Sequence, residues 1–308
     1  MSVPPIHVTI DEPAGPSAAA PEGSDDPEFE PPEQLFFIHG WPDDPSLWDA
    51  QVAYFSQRGY RCLRVTMPHY GGRQDAGANG DLAAPTGFFP DCDWGALCPR
   101  LAEAVRENCD GRRVTLVIHD WGSVWGFYLQ QFAPHLFKAV VAMDVGPWQL
   151  PGTLSNAPKM VAVGLAYQYW LATAHIIGRS STSDLGKKLG DWMTRAFARR
   201  AKQSLGDKAE ITEAITSDAC FPYYYIHRNF LRELLGLQPP LLQQEQEEKE
   251  EGGTGKSPAC PCLFFYGAKK PIKFHDPAWE RALKNREDCH VRDRAHPMLV
   301  FLARPDLQ

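Results

Sequence analysis

The residue whose type and setting most suggest chemistry is Asp120. It follows Val114–Ile118, a continuous apolar run that reads as a fully buried strand, with His119 between. Gly122 and Gly126 come next, and the apolar surface of a helix begins at Val124. A strand, a sharp turn and a helix, with one reactive side chain at the turn, describe a nucleophile elbow. A carboxylate held there can attack an electrophilic sp3 carbon and form an alkyl-enzyme ester. The competing reading is that Asp120 caps the following helix.

Other stretches supply what such an aspartate would need. His39-Gly40-Trp41-Pro42 follows an earlier strand end. The backbone N–H of Trp41 and that of Trp121, next to the nucleophile, are placed to form an oxyanion hole. His296, in the loop after the last strand pattern, is the candidate base for a hydrolytic water, because nucleophile first and histidine last is the chain order this elbow uses. His290 sits within the preceding strand pattern and is the weaker candidate. Asp144 ends the strand after the elbow and would orient His296. The rival acid is Asp276, but Gly267-Ala-Lys-Lys-Pro271 puts two lysines in that turn, which favours Asp144. Tyr167-Gln-Tyr169 and Tyr223-Tyr-Tyr225 offer phenol O–H groups that could donate to a leaving oxygen, although an aromatic stripe is more often helix packing.

These residues require a frame. Leu35–Ile38, Arg61–Thr66, Val114–Ile118, Ala139–Met143, Cys262–Tyr266 and Cys289–Arg292 read as strands, and Trp48–Tyr54, Trp94–Asn108 and the stretch after the elbow as helices. Alternation of the two predicts an α/β protein with a mostly parallel sheet covered by helices. His39, Asp120 and Asp144 all fall at carboxyl ends of strands, where ligands bind in such sheets. Residues 1–33 are expected to be disordered apart from a short edge strand at Ile6–Ile10; 34–148 and 259–308 form the core. Residues 149–240 form an inserted helical cap, and 241–258 an acidic, Gly-rich disordered loop. Within the cap, Arg195–Lys202 is basic and amphipathic and reads as a solvated helix face rather than a membrane or nucleic-acid surface.

Composition narrows the function. A net charge of −7 gives nucleic-acid binding no support. No apolar run is long enough to span a bilayer, and Met1–Ile6 has no secretory pattern, so a cytoplasmic location is expected. The eight cysteines are scattered and suit buried thiols better than disulfides or a zinc site.

Together the motifs resemble the α/β-hydrolase superfamily, in its capped branch of epoxide hydrolases and haloalkane dehalogenases. Val117-Ile-His-Asp-Trp-Gly-Ser123, continuing to Gly126-Phe127, looks like a dehalogenase nucleophile segment, whereas His39-Gly-Trp-Pro42 looks like the epoxide-hydrolase oxyanion loop. The resemblance implies a triad of Asp120, Asp144 and His296, with Tyr167 and a tyrosine of 223–225, of which Tyr224 is the first choice, activating an epoxide. The implied substrate is a small apolar electrophile hydrolysed by water without metal or organic cofactor. A haloalkane dehalogenase, with the indoles of Trp121 and Trp41 holding halide, is the first alternative. A catalytically silent scaffold is the second, suggested by Ala295 and Pro297 beside the histidine; Ile118 stands where epoxide hydrolases usually carry Gly and dehalogenases tolerate a larger residue.

Overall fold

The computed structural model describes residues 6–14, 32–70, 92–147, 158–180, 184–204, 214–237, 258–268 and 273–294. His296 and the acidic stretch 241–257 lie outside the described residues. Seven strands form one sheet: β1 (His7–Asp11), β2 (Gln34–Ile38), β3 (Arg61–Thr66), β4 (Val114–His119), β5 (Phe137–Met143), β6 (Cys262–Gly267) and β7 (Cys289–Arg294). Their spatial order is β1-β3-β2-β4-β5-β6-β7. Only β1 runs antiparallel; every other neighbouring pair is parallel. β1 is the short edge strand read from Ile6–Ile10.

The strands are apolar on both sides because both sides are covered. Leu35 and Phe37 pack with Trp48 and Val52, the latter from α1 (Asp49–Ser56). Phe36 and Ile38 point the other way, into the larger core layer that holds α2 (Trp94–Asn108) and α3 (Trp121–Phe132). The helical spacing of Leu97, Leu101 and Val105 is realised as a fully buried stripe of α2. Arg64, buried on β3, bonds Asp11 of β1 at 2.9 and 3.0 Å and Asp49 of α1 at 2.7 Å, so its charge is met by two carboxylates. All eight cysteines are buried, and none forms a disulfide.

Between β5 and β6 the chain leaves the sheet. Among the described residues this insert is helical: α4 (Pro158–Ser180), α5 (Asp184–Ser204) and α6 (Phe221–Leu234), with a 3₁₀ turn at Ser217–Cys220 leading into α6. A Cβ on Gly190 of α5 would lie 2.6 Å from the Ala174 carbonyl and 3.0 Å from Gly178 Cα, so this glycine lets α4 and α5 approach closely. Asp93, at the start of α2, accepts bonds of 2.6 Å from both Arg228 Nη2 and Asn229 Nδ2 of α6, which ties the insert to the core. A last helix, α7 (Pro277–Lys284), connects β6 to β7.

Candidate active site

The turn at Asp120 is strained. Its φ of 53° and ψ of −124° place a residue with a Cβ in a region that costs on the order of 1–3 kcal/mol. The surroundings hold it there. α3 starts so close to β2 that a Cβ on Gly122 would lie 2.6 Å from the His39 carbonyl oxygen. Ile118, the large residue two before Asp120, is fully buried, and a Cβ on Gly126 would meet its side chain at 2.6 Å. The bulk of Ile118 thus occupies the space that Gly126 leaves open.

The helix-cap reading of Asp120 fails, since its side chain makes no capping bond to α3. Instead its Oδ1 accepts the backbone N–H of Trp41 at 2.9 Å. Gly40 makes this possible: a Cβ there would lie 2.5 Å from the Trp121 nitrogen and overlap the Asp120 carboxylate. The loop is braced by His39. Its Nε2 accepts the Met67 N–H at 3.3 Å, which leaves Nδ1 to donate to the Gly40 carbonyl at 3.1 Å. Full burial lowers its pKa to about 4, so the ring is neutral at neutral pH.

Asp144 lies beside the elbow. β4 and β5 pair His119 with Met143, so Asp120 and Asp144 are the next residues at adjacent carboxyl ends. Asp144 is buried, has a positive φ of 75°, and donates its N–H to Phe265 at 2.7 Å. Asp276 is used differently: its carboxylate accepts the Ala278 N–H at 2.6 Å and caps α7. His290 lies within β7 opposite Leu263 and is exposed. β7 ends at Arg294, two residues before His296 and at the same edge of the sheet as Asp120.

The insert closes over this edge with aromatic rings. Trp41, Phe197, Tyr167 and Tyr223 form a closed circuit, with successive centroids 6.0, 5.5, 5.9 and 5.6 Å apart. Tyr223 also meets the Trp121 ring edge to face at 5.1 Å. Burial holds the hydroxyls of Tyr167 and Tyr223 well above the ordinary phenol range, and the Asp120 charge pushes both in the same direction. Both are protonated donors at neutral pH. Gln168 donates to the Tyr167 hydroxyl at 3.5 Å.

Tyr224 is not brought to the aspartate. Its ring packs on His175 at 5.4 Å and on Tyr225 at 5.1 Å, inside the insert. Successive residues of a helix point about 100° apart, so only one of the three adjacent tyrosines can face the elbow, and it is Tyr223. Two further residues reach the site without a prior signal. Phe197 belongs to a helix whose basic residues suggested a surface. Tyr70, four residues past β3, donates its hydroxyl to the Ala219 carbonyl of the insert at 2.8 Å. Its position just beyond the carboxyl end of a strand was the available clue.

The epoxide hydrolase srdG of Neurospora crassa is 26% identical over 179 residues, covering 57% of this chain and 49% of that one. Epoxide hydrolase 3 of Siraitia grosvenorii is 31% identical over 111 residues, covering 36% of this chain and 32% of its own. The chain therefore spans about half, or a third, of the length of these curated relatives. Among solved structures, the epoxide hydrolase CorEH superposes with a TM-score of 0.62 at 14% identity, over 98% of this chain and 91% of that one. A marine microorganism esterase superposes with a TM-score of 0.56 at 12% identity, over 99% and 96%. At these identities the superpositions speak for the fold alone. The model of the alpha/beta hydrolase family matches residues 35–307, from β2 through the elbow and the insert to beyond β7, and the chain belongs to that family.

Proposed function

We propose that the protein is an epoxide hydrolase-like enzyme with Asp120 as nucleophile. The observation that carries this reading is the pair of protonated phenols, Tyr167 and Tyr223, in the insert, which we read as a cap over the elbow. Oδ1 of Asp120 accepts the Trp41 N–H, so in this reading Oδ2 is the attacking oxygen. As Oδ2 bonds to a ring carbon, that carbon's bond to the epoxide oxygen breaks. The oxygen takes a proton from Tyr167 or Tyr223 and becomes a hydroxyl.

The resulting ester keeps Oδ1 as its carbonyl oxygen. His296, oriented by Asp144, removes a proton from water, and the hydroxide adds to the ester carbon. Negative charge develops on Oδ1, where the amides of Trp41 and Trp121 receive it. Expulsion of the diol restores the carboxylate, and the proton held by His296 returns to the phenol. No step calls for a metal or an organic cofactor. The relatives named epoxide hydrolase add support at low identity.

The dehalogenase reading rests on the letters of the elbow. Against it, the Trp121 ring packs edge to face on Tyr223 at 5.1 Å, which sets a phenol beside the elbow that halide release would not use. A single turnover in oxygen-18 water with epoxide and haloalkane panels tests all three readings. The expected result is diol formation, with label in the Asp120 carboxylate of the digested peptide and no turnover by Asp120→Asn at first exposure. Turnover without label in that peptide would overturn the ester mechanism. Halide release without diol formation would select the dehalogenase, and inertness across both panels the silent scaffold.

A further inference from the structure

The outward face of α5 carries apolar residues ahead of the basic stretch Arg195–Lys202, in which Arg199 and Arg200 are exposed. Leu185, Leu189 and Trp192 are 76%, 45% and 57% exposed. Their spacing of four and then three residues places them in a single stripe about 60° wide. Trp170 of α4, 41% exposed, extends the stripe sideways, because its indole N–H donates to the Met193 carbonyl at 3.0 Å. Four large apolar side chains, two of them tryptophans, form a surface that water does not favour.

Among the described residues of α5, the charged side chains nearest the stripe on the wheel are basic. On the helical wheel, Lys188 and Arg199 flank it on one side and Arg200 on the other, and all three are exposed. The two acids of α5 lie off this face; Asp191 turns inward and accepts the Ser217 N–H at 2.8 Å and its hydroxyl at 2.9 Å. In a chain of net charge −7, this is a local concentration of positive charge around apolar residues.

We propose that this face of α5, with Trp170, docks on an anionic lipid bilayer. An amphipathic helix with Leu and Trp on its outer line and Lys and Arg beside it lies flat in the headgroup region, apolar side chains inward and cations at the phosphates. Among the described residues no helix is long and apolar enough to cross a membrane, so the contact is peripheral. This inference does not depend on the reaction assigned to the site.

The test is flotation of the full chain with vesicles of phosphatidylcholine alone or mixed equally with phosphatidylserine, at low and high salt. The mixed vesicles should bind the protein about 10-fold more tightly at low salt, with most of the difference lost at high salt. Arg199→Glu should weaken binding about 5-fold or more, and Trp192→Glu about 10-fold or more. Circular dichroism and Tm serve as folding controls, and Leu185→Ser replaces any variant that fails them. Absence of wild-type flotation with the mixed vesicles would overturn the proposal, as would equal flotation of wild type and Trp192→Glu. A lipid-free dimer in light scattering that Trp192→Glu dissolves would assign the face to self-association instead. Equally tight binding to polyglutamate, unchanged in Trp192→Glu, would reduce it to a site for acidic proteins.

Discussion

Tyr70, from the core, gives its hydroxyl proton to Ala219, in the insert, at 2.8 Å. Ala219 precedes Tyr223 by four residues, about one helical turn, so a core residue sets the height of a candidate proton donor above Asp120. The Tyr70 ring also meets His39 at 5.0 Å and Phe221 at 6.2 Å, contacts that phenylalanine would keep. Tyr70→Phe is expected to lower kcat for epoxide opening about 10-fold with KM within about 3-fold. If Tyr70 acts through Tyr223, the losses in the double variant with Tyr223→Phe will be well short of additive. Steady-state kinetics of the four proteins measures this.

The three adjacent tyrosines should separate cleanly. Tyr223→Phe removes a donor beside Trp121 and is expected to slow alkylation of Asp120 about 100-fold. Tyr224→Phe alters a ring packed on His175 and should leave the rate within about 3-fold. Rapid-quench measurement of ester formation distinguishes them; equal losses in both would contradict the assignment to Tyr223.

Gly40 should tolerate no side chain. In Gly40→Ala the added methyl would sit 2.5 Å from the Trp121 nitrogen and overlap the Asp120 carboxylate. The Trp41–Asp120 bond would have to open. The expected result is a loss of about 100-fold or more in kcat/KM, as for removal of an oxyanion donor, with about 1–3 kcal/mol lost in stability. Urea unfolding beside kinetics separates the two effects.

Two buried neutral histidines set an acid limit. Burial lowers the pKa of His39 to about 4, and burial does the same for His175, also to about 4, against 6.5 for an ordinary imidazole. Below pH 6.5 the unfolded chain binds protons at these sites and the folded chain does not. Stability therefore falls as pH drops from about 6.5 towards about 4, by up to ~3 kcal/mol for each histidine. His175→Gln should flatten the dependence of the urea midpoint on pH over that window. An unchanged slope would show that His175 titrates normally in the fold.

Much of the framework was legible because its signals are local. Apolar runs on both sides of a strand, and the stripe Leu97, Leu101 and Val105 on α2, depend only on neighbours in sequence and on which surfaces must leave water. The elbow was legible for a related reason. Gly122, two residues after Asp120, is demanded by the Ile38 and His39 carbonyls, which leave no space for a Cβ.

The tyrosine choice was not legible, because Tyr223 and Tyr224 differ only by about 100° around a helix whose rotation is set by packing on Trp41, Trp121 and His175. Tyr70 and Phe197 were silent for the same reason: each acquires its role from a partner more than a hundred residues away. The outer face of α5 was legible only in part: Arg199 and Arg200 are exposed as their letters suggest, whereas the exposure of Leu185, Leu189 and Trp192 on the same arc is set by how the helix packs.

By itself, then, the sequence determined the order of strands and helices, the strained turn at Asp120 and the loop at Gly40-Trp41, all of which follow from hydrophobic pattern and backbone sterics. Only the tertiary structure decided that Trp41 bonds Asp120, that Tyr223 rather than Tyr224 meets Trp121, and which face of α5 is left outside. Those outcomes depend on the angle and height at which the helical insert sits on the sheet, and that placement is the sum of many long-range contacts that no short stretch of residues encodes.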